Sequence, residues 1–382
     1  MSLTFDSARI PNPHLTEDHL AWRDALRRFV DKEIMPYAED WDEAGHIPNE
    51  LWLRAAEVGL LGAGYPEEYG GMPTDSWHSW IIQEELSRVG VGGIAASLFV
   101  HSIGLPPVIN WGSAEMKANI APAVLRGESW ISLGITEPGG GSDVANLATT
   151  AVRDGDHFIV NGSKTYITGG MRANYVSTAV RTGGEGPTGV SMLLIPTDSA
   201  GFSRTRLDRK MGWWASDTAT LYFDNVRVPA DHIIGEENQG FKVIMTNFNN
   251  ERMGMAAAME AYGRVCLEEA VNWATERRTF GKRLADHQVI RHKIAMMKQK
   301  LNATQAYIRI CYEAIEVHLF DQLHLLDLVH QVDLVHQVDL VHQVDLVHPV
   351  DLVHQVDLVH QVDLGHLVHL HYHFHLLYNF HQ

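Results

Sequence analysis

Three stretches of this 382-residue chain carry side chains whose types and spacing could do chemistry. In LGITEPGGGSDVANL, residues 133–147, three consecutive glycines, Gly139 to Gly141, stand between the hydroxyls of Thr136 and Ser142. Glycines remove side-chain bulk where a ligand must approach the backbone, and the hydroxyls can donate to or accept from a polar group. Taken alone, a Gly-rich run between strands is more often a plain turn. It is not a P-loop, lacking the Gly-Lys-Ser/Thr ending, nor a Gly-x-Gly-x-x-Gly opening a helix. In NNERMGM, Glu251 precedes Arg252 at the start of a long helical stretch. On residue type alone it reads as an exposed first-turn acid, favoured there by the helix dipole; buried in a cleft, the same carboxylate could move protons. The third stretch repeats DLVHQV from Asp327 to His366, with His330, His336, His342, His348, His354 and His360 each three residues after an Asp.

That repeat could bind Zn²⁺ or Ni²⁺, as His-rich tracts do. Its period argues against a built site, because six residues would turn successive histidines by about 240° around a helix. In a strand, Leu and His would share one face and Asp and Gln the other, a poor apolar-in, polar-out alternation. A parallel β-helix would want glycine turns, and Pro349 interrupts the run.

The elements that must position Gly139–Gly141 and Glu251 fall into three blocks. From Thr16 to Leu125 the text is helical: Leu20, Leu26, Phe29, Val30 and Ile34 recur at helical spacing. NELWLRAAEVGLLG, SWHSWIIQEELSRVG, GIAASLFVHSIGLPPVINWG and GSAEMKANIAPAVLRGE follow, separated by Gly and Pro, the last opened by Ser113 and closed by Gly127. From Ser129 short β-rich runs take over, and RDGDHFIVNGSKTYIT predicts a hairpin with turn signals at Asp154-Gly155 and Asn161-Gly162. Trp213 and Trp214 read as core or interface aromatics. Helix returns near Gly240 in two long amphipathic stretches, the second with a buried stripe of Ile290, Ile294, Met297 and Leu301. The order is α+β: an N-terminal helical domain (1–127), a middle β-barrel or sandwich (128–239) and an incomplete C-terminal helical bundle (240–316), followed by the tail (317–382).

Composition bounds the function. Hydrophobic residues make up 45% and charged ones 20%, which suits a soluble globular protein. A formal charge of −17 argues against a nucleic-acid surface unless a local basic cluster supplies one. No apolar run approaches the ~20 residues of a membrane span. Cys266 and Cys311 form no Cys-x-x-Cys pair, so a reducing compartment is expected. With neither an apolar leader segment nor an Arg-rich transit segment at the N-terminus, the expectation is a cytoplasmic protein.

LGITEPGGGSD, followed in order by KTYITGG, FDNVRVP, GEENQGF, NNERMGMAA and ERRTFGKRLADHQ, closely resembles the acyl-CoA dehydrogenase family of flavoenzymes over residues 16–316. Asn146 departs from the small residue usual at its position. The resemblance implies an FAD site. Leu133, Ile135, Thr136, Gly141 and Ser142 match the loop holding flavin ring and pyrophosphate, with Thr136 at the pyrimidine side. Tyr166, Ile167 and Thr168 match the strand along the other flavin edge, with Thr168 near N5. Arg277, Thr279, Phe280 and Gln288 match positions that receive the FAD of a neighbouring subunit, a task that suits a guanidinium. Ser142, Phe248, Asn249 and Arg252 match residues along the acyl-CoA path, and no metal is implied.

The implied reaction converts an acyl-CoA to its trans-2-enoyl-CoA. A carboxylate of raised pKa takes the Cα proton, donors polarise the thioester carbonyl, and the flavin accepts the β-hydride. The family keeps its base either at the start of the long helix after the β domain, here Glu251, or in the last helical segment. Complete members are homotetramers that pass electrons to electron-transferring flavoprotein. Alternatives are a relative with acyl-CoA oxidase or flavin monooxygenase chemistry, an inactive remnant, and a metal binder working through the His-rich tail. Residues 317–382 contain no Lys, Arg, Ser, Thr, Ala or Glu. They show none of the family's final helices or its Gly-rich inter-subunit loop, so the expectation is a frameshifted or otherwise aberrant end.

Overall fold

The structure, a computed structural model, describes residues 3–316, so the expectations for the tail from 317 to 382 lie outside the described residues. The first block comprises α1 (Glu17–Phe29), α2 (Ala38–Ala44), α3 (Glu50–Glu57), α4 (Ser76–Ser87), α5 (Gly92–Leu98), α6 (His101–Gly104), α7 (Pro106–Trp111) and α8 (Ala114–Leu125). Local chemistry sets the ends. Thr16 and His19 cap α1 reciprocally. Asp75 caps α4 by accepting from the His78 N–H and from both the His19 and His78 rings. Ser113 accepts from the Met116 N–H at the start of α8, and Gly127 takes φ +73° beyond its end. Between α1 and α2 the helix widens into one i→i+5 turn, Met35 N–H to Val30 O, before Pro36 breaks it.

Of the α1 stripe, Leu26, Phe29, Val30 and Ile34 are buried but Leu20 is 45% exposed. The inward positions beside it belong to His19 and Arg23, which stay inside because they are paired. Arg23 and Arg264 grip opposite oxygens of Glu84 at 2.7 and 2.5 Å, and Arg264 also bonds Glu260 at 3.1 Å. Periodicity alone cannot see such a cluster, since it replaces an apolar face with paired charge.

The middle block is one seven-stranded sheet made of β1 (Ile131–Gly134), β2 (Thr150–Asp154), β3 (His157–Thr168), β4 (Tyr175–Arg181), β5 (Val190–Pro196), β6 (Phe202–Arg206) and β7 (Thr218–Pro229). The order is β1-β4-β2-β3-β7-β6, with β5 on β4. β1 runs parallel to β4; β2–β3, β3–β7, β4–β5 and β6–β7 are antiparallel. The β2–β3 hairpin turns where Asp154 pairs with His157, close to the expected Asp154-Gly155. Asn161-Gly162 is not a turn: β3 runs straight through it with a bulge against β7. Gly162 is required there, because at φ +143° an added Cβ would sit 2.7 Å from Thr149.

The last block is α9 (Gly240–Glu276), a short hairpin of β8 (Arg278–Thr279) and β9 (Lys282–Arg283), and α10 (Gln288–Glu316). Phe280 and Gly281 form its two-residue turn, both at positive φ, as strand twist demands. Leu301 of the expected α10 stripe is buried, packed with Leu267 and Ala8; Ile294 and Met297 lean on the same cluster. Trp213 and Trp214 are half-exposed, Trp213 lying over Gly92, where an added Cβ would come 2.4 Å from its Nε1. No single helix among the described residues is long and apolar enough to cross a membrane.

Candidate active site

The Gly-rich loop leaves the end of β1 and is braced from beneath. Glu137 and Gly140 exchange two backbone hydrogen bonds, 2.9 and 3.1 Å, closing a turn over Pro138-Gly139. The Glu137 carboxylate accepts from the Ala148 and Thr149 N–H groups at 2.6 and 2.9 Å and from Lys164 Nζ at 2.7 Å. Lys164 also donates to the Ile135 carbonyl at 3.1 Å. One ion pair thus ties both ends of the loop, residues 135 and 149, to β3.

Burial pushes the Lys164 ammonium down to about 8, against the pull of Glu137. Burial also pushes the Glu137 carboxyl up, but the Lys164 charge and the hydrogen bonds from Lys164, Ala148 and Thr149 overcome it, and the carboxyl lies below 4.5. The two shifts favour opposite charge states because the acid is held by several donors and the lysine mainly by one partner, so burial outweighs pairing at the lysine but not at the acid. Neither residue stood out in the sequence. The available signal was a lysine at an inward strand position, tolerable only if paired.

Beside the loop, β3 breaks register between Lys164 and Ile167. Thr165 N–H donates to the Thr136 carbonyl at 2.8 Å, and Tyr166, at φ +59°, turns outward with 64% of its surface exposed. Ile135 and Ile167 bury their side chains, so only main chain can face a ligand there. Leu133, Thr136 and Thr168 are half-buried, while Gly141 and Ser142 are exposed. Cβ atoms added at Gly139 and Gly140 would meet nothing within 4 Å, whereas one at Gly141 would press on the Thr136 methyl at 3.2 Å. The result is a bare backbone edge next to an outward aromatic ring.

Glu251 lies on α9, whose Phe248 meets the core behind this loop. Phe248, one turn earlier, packs against the cluster containing Ile135 and Val144, with Leu133 leaning on the same cluster. Arg252 lies 5.8 Å from the centre of the Phe248 ring, and Asn249 is half-buried. Glu251 is half-buried and lies about three turns into α9, which begins at Gly240, rather than being the exposed first-turn acid its residue type suggested. Burial pushes its carboxyl up to about 7, against the opposing charge of Arg252. Asn247, buried, donates to Glu251 Oε1 at 2.5 Å and to the Ile103 carbonyl at 3.1 Å. Asn247 was not singled out in the sequence, although i, i−4 spacing from a helical acid puts it within reach.

Arg277, Thr279, Phe280 and Gln288 are not brought to this place within the chain. They follow the C-terminal end of α9, roughly 39 Å along the helix from Glu251 at 1.5 Å per residue. Arg277 and Gln288 are exposed and the Phe280 ring is 97% exposed, while Thr279 bonds His287 at 3.1 Å.

Comparison with known proteins covers the same three blocks. Family models described as acyl-CoA dehydrogenase N-terminal, middle and C-terminal domains match residues 16–128, 132–226 and 238–323. The chain is 38% identical over 316 residues to an acyl-CoA dehydrogenase of Alternaria alternata, covering 79% of this chain and 73% of that one. A crystal structure of a probable acyl-CoA dehydrogenase from Mycobacterium abscessus superposes with TM-score 0.79 at 45% identity, covering 83% of this chain and 84% of the other. A glutaryl-CoA dehydrogenase of Mycobacterium smegmatis, solved with FADH2, gives TM-score 0.73 at 28% identity over 78% of this chain and 76% of its own.

Proposed function

The chain belongs to the acyl-CoA dehydrogenase family of flavoprotein oxidoreductases, and on that premise we propose that it oxidises the Cα–Cβ bond of an acyl-CoA thioester to the trans-2-enoyl-CoA, with Glu251 as the base and FAD as the cofactor. The observation that carries the reading is Glu251 itself: a half-buried carboxyl held at about 7, one helical turn from Phe248, which packs on the cluster holding Ile135 and Val144 at the two ends of the Gly-rich loop. A base near neutral pH combines a useful ionised fraction with enough proton affinity to draw on a weak carbon acid.

The residues present fit a flavin dinucleotide. The open space over Gly139 and Gly140 allows main chain to approach a phosphate or a flat ring edge, and the outward Tyr166 ring offers an apolar surface beside it. Thr136, Ser142 and Thr168 supply hydroxyl groups along the same edge. Bound there, FAD would supply a two-electron acceptor for the hydride that leaves the substrate β-carbon.

The chain's own part is proton chemistry and positioning. Glu251 Oε takes the proton from Cα and becomes the neutral acid, which its buried setting favours. Arg252 opposes that tendency enough to keep an ionised fraction before substrate arrives. Phe248 and Asn249 flank the acyl path, and the Glu137–Lys164 brace keeps the loop edge in place. Arg277, Thr279, Phe280 and Gln288, remote from Glu251 in the chain, are suited to meet the cofactor of a neighbouring copy in a homotetramer. Electron-transferring flavoprotein is the proposed acceptor.

The test is Glu251→Gln in the full chain, which keeps shape and removes the base. Flavin absorbance should be retained while its bleaching by an acyl-CoA panel slows by at least about a hundredfold. Bleaching at the unaltered rate refutes the base assignment, and a chain that takes up no FAD refutes the reading as a whole.

A further inference from the structure

Asn247 stands in an unusual position for a helix-interior amide. It is 6% exposed, and its Nδ2 reaches two acceptors from different elements, the Ile103 carbonyl of α6 and Glu251 Oε1 on its own helix. The Ile103 carbonyl can only accept, as can Glu251 when ionised, so the amide orientation is fixed by chemistry: its oxygen turned toward the carbonyl would face another oxygen. α6 is itself anchored to the sheet, since the Gly104 carbonyl accepts from Ser177 Oγ at 2.8 Å and a Cβ on Gly104 would collide with the Ile131 carbonyl.

We propose that Asn247 is a positioning residue that ties the Glu251 carboxylate through α6 to the sheet carrying the Gly-rich loop, fixing which oxygen faces the substrate and favouring its ionised form. One N–H of the amide is held by Ile103, which leaves the other aimed at Oε1. Glu251 then cannot swing along α9 without breaking a bond whose other end is fixed. The bond also sets a balance. Burial raises the carboxyl, and a donor to the charged form, such as the Asn247 amide, works against that rise. Arg252 acts from the same helix. α10 also packs on α9 and brings Cys311 and Tyr312, buried in one cluster with Met253 and both pushed up, toward their neutral forms, by that burial. On α6, His101 is kept neutral by burial, at about 4, with its Nε2 on the Leu61 carbonyl. On α4, Glu84 and Glu85 are engaged by Arg23, Arg264 and Arg27, and β5 and α7 bring no ionisable side chain.

The titration of Glu251 is a property of the fold, and only the kinetic half of this inference rests on the reading of Glu251 as the base. The experiment therefore follows the infrared carboxyl band of Glu251, assigned by its loss in Glu251→Gln, against pH in the full chain. Asn247→Leu, close in shape but without the donor, should move the titration upward by about one to two pH units. The acid limb of substrate-driven flavin bleaching should move with it. Asn247→Asp keeps the shape and sets a second carboxyl at bonding distance, which should raise one apparent value further and split the titration. If Asn247→Leu fails to fold, Asn247→Asp decides alone. An unmoved carboxyl band in a folded variant overturns the proposal whatever the activity. A band that moves while Glu251→Gln still turns over leaves the positioning intact and refutes the base assignment instead.

Discussion

Lys164→Met isolates what the buried brace under the Gly-rich loop contributes. Lys164 is 0% exposed and Glu137 8%, so the substitution keeps an apolar stem in the same space and leaves a buried carboxylate facing only the Ala148 and Thr149 N–H groups. Removing one partner of a buried pair costs about 3–5 kcal/mol, because the remaining charge has lost its compensation. Against a total of roughly 5–15 kcal/mol for a folded domain, that is large. Equilibrium urea unfolding read by circular dichroism and tryptophan fluorescence measures it. Adding Glu137→Gln to Lys164→Met removes the stranded charge but keeps an acceptor for only one of the two N–H groups, which bond separate carboxylate oxygens, so about half of the loss should return. The pH dependence carries a sign. The Glu137 carboxyl lies below its ordinary 4.5 in the folded chain, so its stabilisation is present above 4.5 and is lost as pH falls through the folded value. The gap between wild type and Lys164→Met should therefore narrow in acid. A loss under about 1 kcal/mol at neutral pH, or an equal gap at pH 7 and pH 3, would show that the pair does not act as a charged brace.

Other outcomes follow from the same geometry. Gly140→Ala places a methyl in open space, so folding should change by less than about 0.5 kcal/mol, while FAD retention on dialysis falls at least about tenfold; undiminished retention refutes a close approach at that backbone. Tyr166→Gly removes an exposed ring from φ +59°, where relief of about 1–2 kcal/mol outweighs the entropy cost of glycine, about 0.5–1. The flavin-free chain should be no less stable, measured by thermal unfolding, and a drop above about 1 kcal/mol shows that the ring packs on protein. Because the Glu251 carboxyl is raised from 4.5 to about 7, it should disfavour the fold progressively as pH climbs from 4.5 to 7, while flavin bleaching by acyl-CoA accelerates through about 7. Glu251→Gln should flatten both dependences, and a bleaching limb near 4.5 in the wild type would contradict the burial argument.

Much of the fold was legible in the sequence because its cues are local. Thr16, Ser113 and Gly127 mark helix ends by their own hydrogen bonds and backbone freedom, and a turn within a residue of Asp154-Gly155 closes a hairpin on itself. The misreadings share a cause. Asn161-Gly162 carries the same local cue as a hairpin turn, but β7 pairs along β3 on both sides of it and converts it to a bulge. Leu20 has the right spacing to be core, yet its helix turns His19 and Arg23 inward toward Asp75 and Glu84, partners 56 and 61 residues away.

The sequence by itself determined the order of elements, the family to which residues 16–316 belong, and the presence of a carboxylate, Glu251, in a long helix. The tertiary structure alone decided that Glu251 is buried enough to hold its proton near neutral pH, that Asn247 and the Ile103 carbonyl restrain it, and that Lys164 braces the loop. It also decided that Arg277 and Phe280 stand a helix length away. The division has one physical origin. Helix caps, turns and periodicity arise from bonds within a few residues. Desolvation and pairing depend on which distant segments share a volume, and no spacing within a single stretch records that.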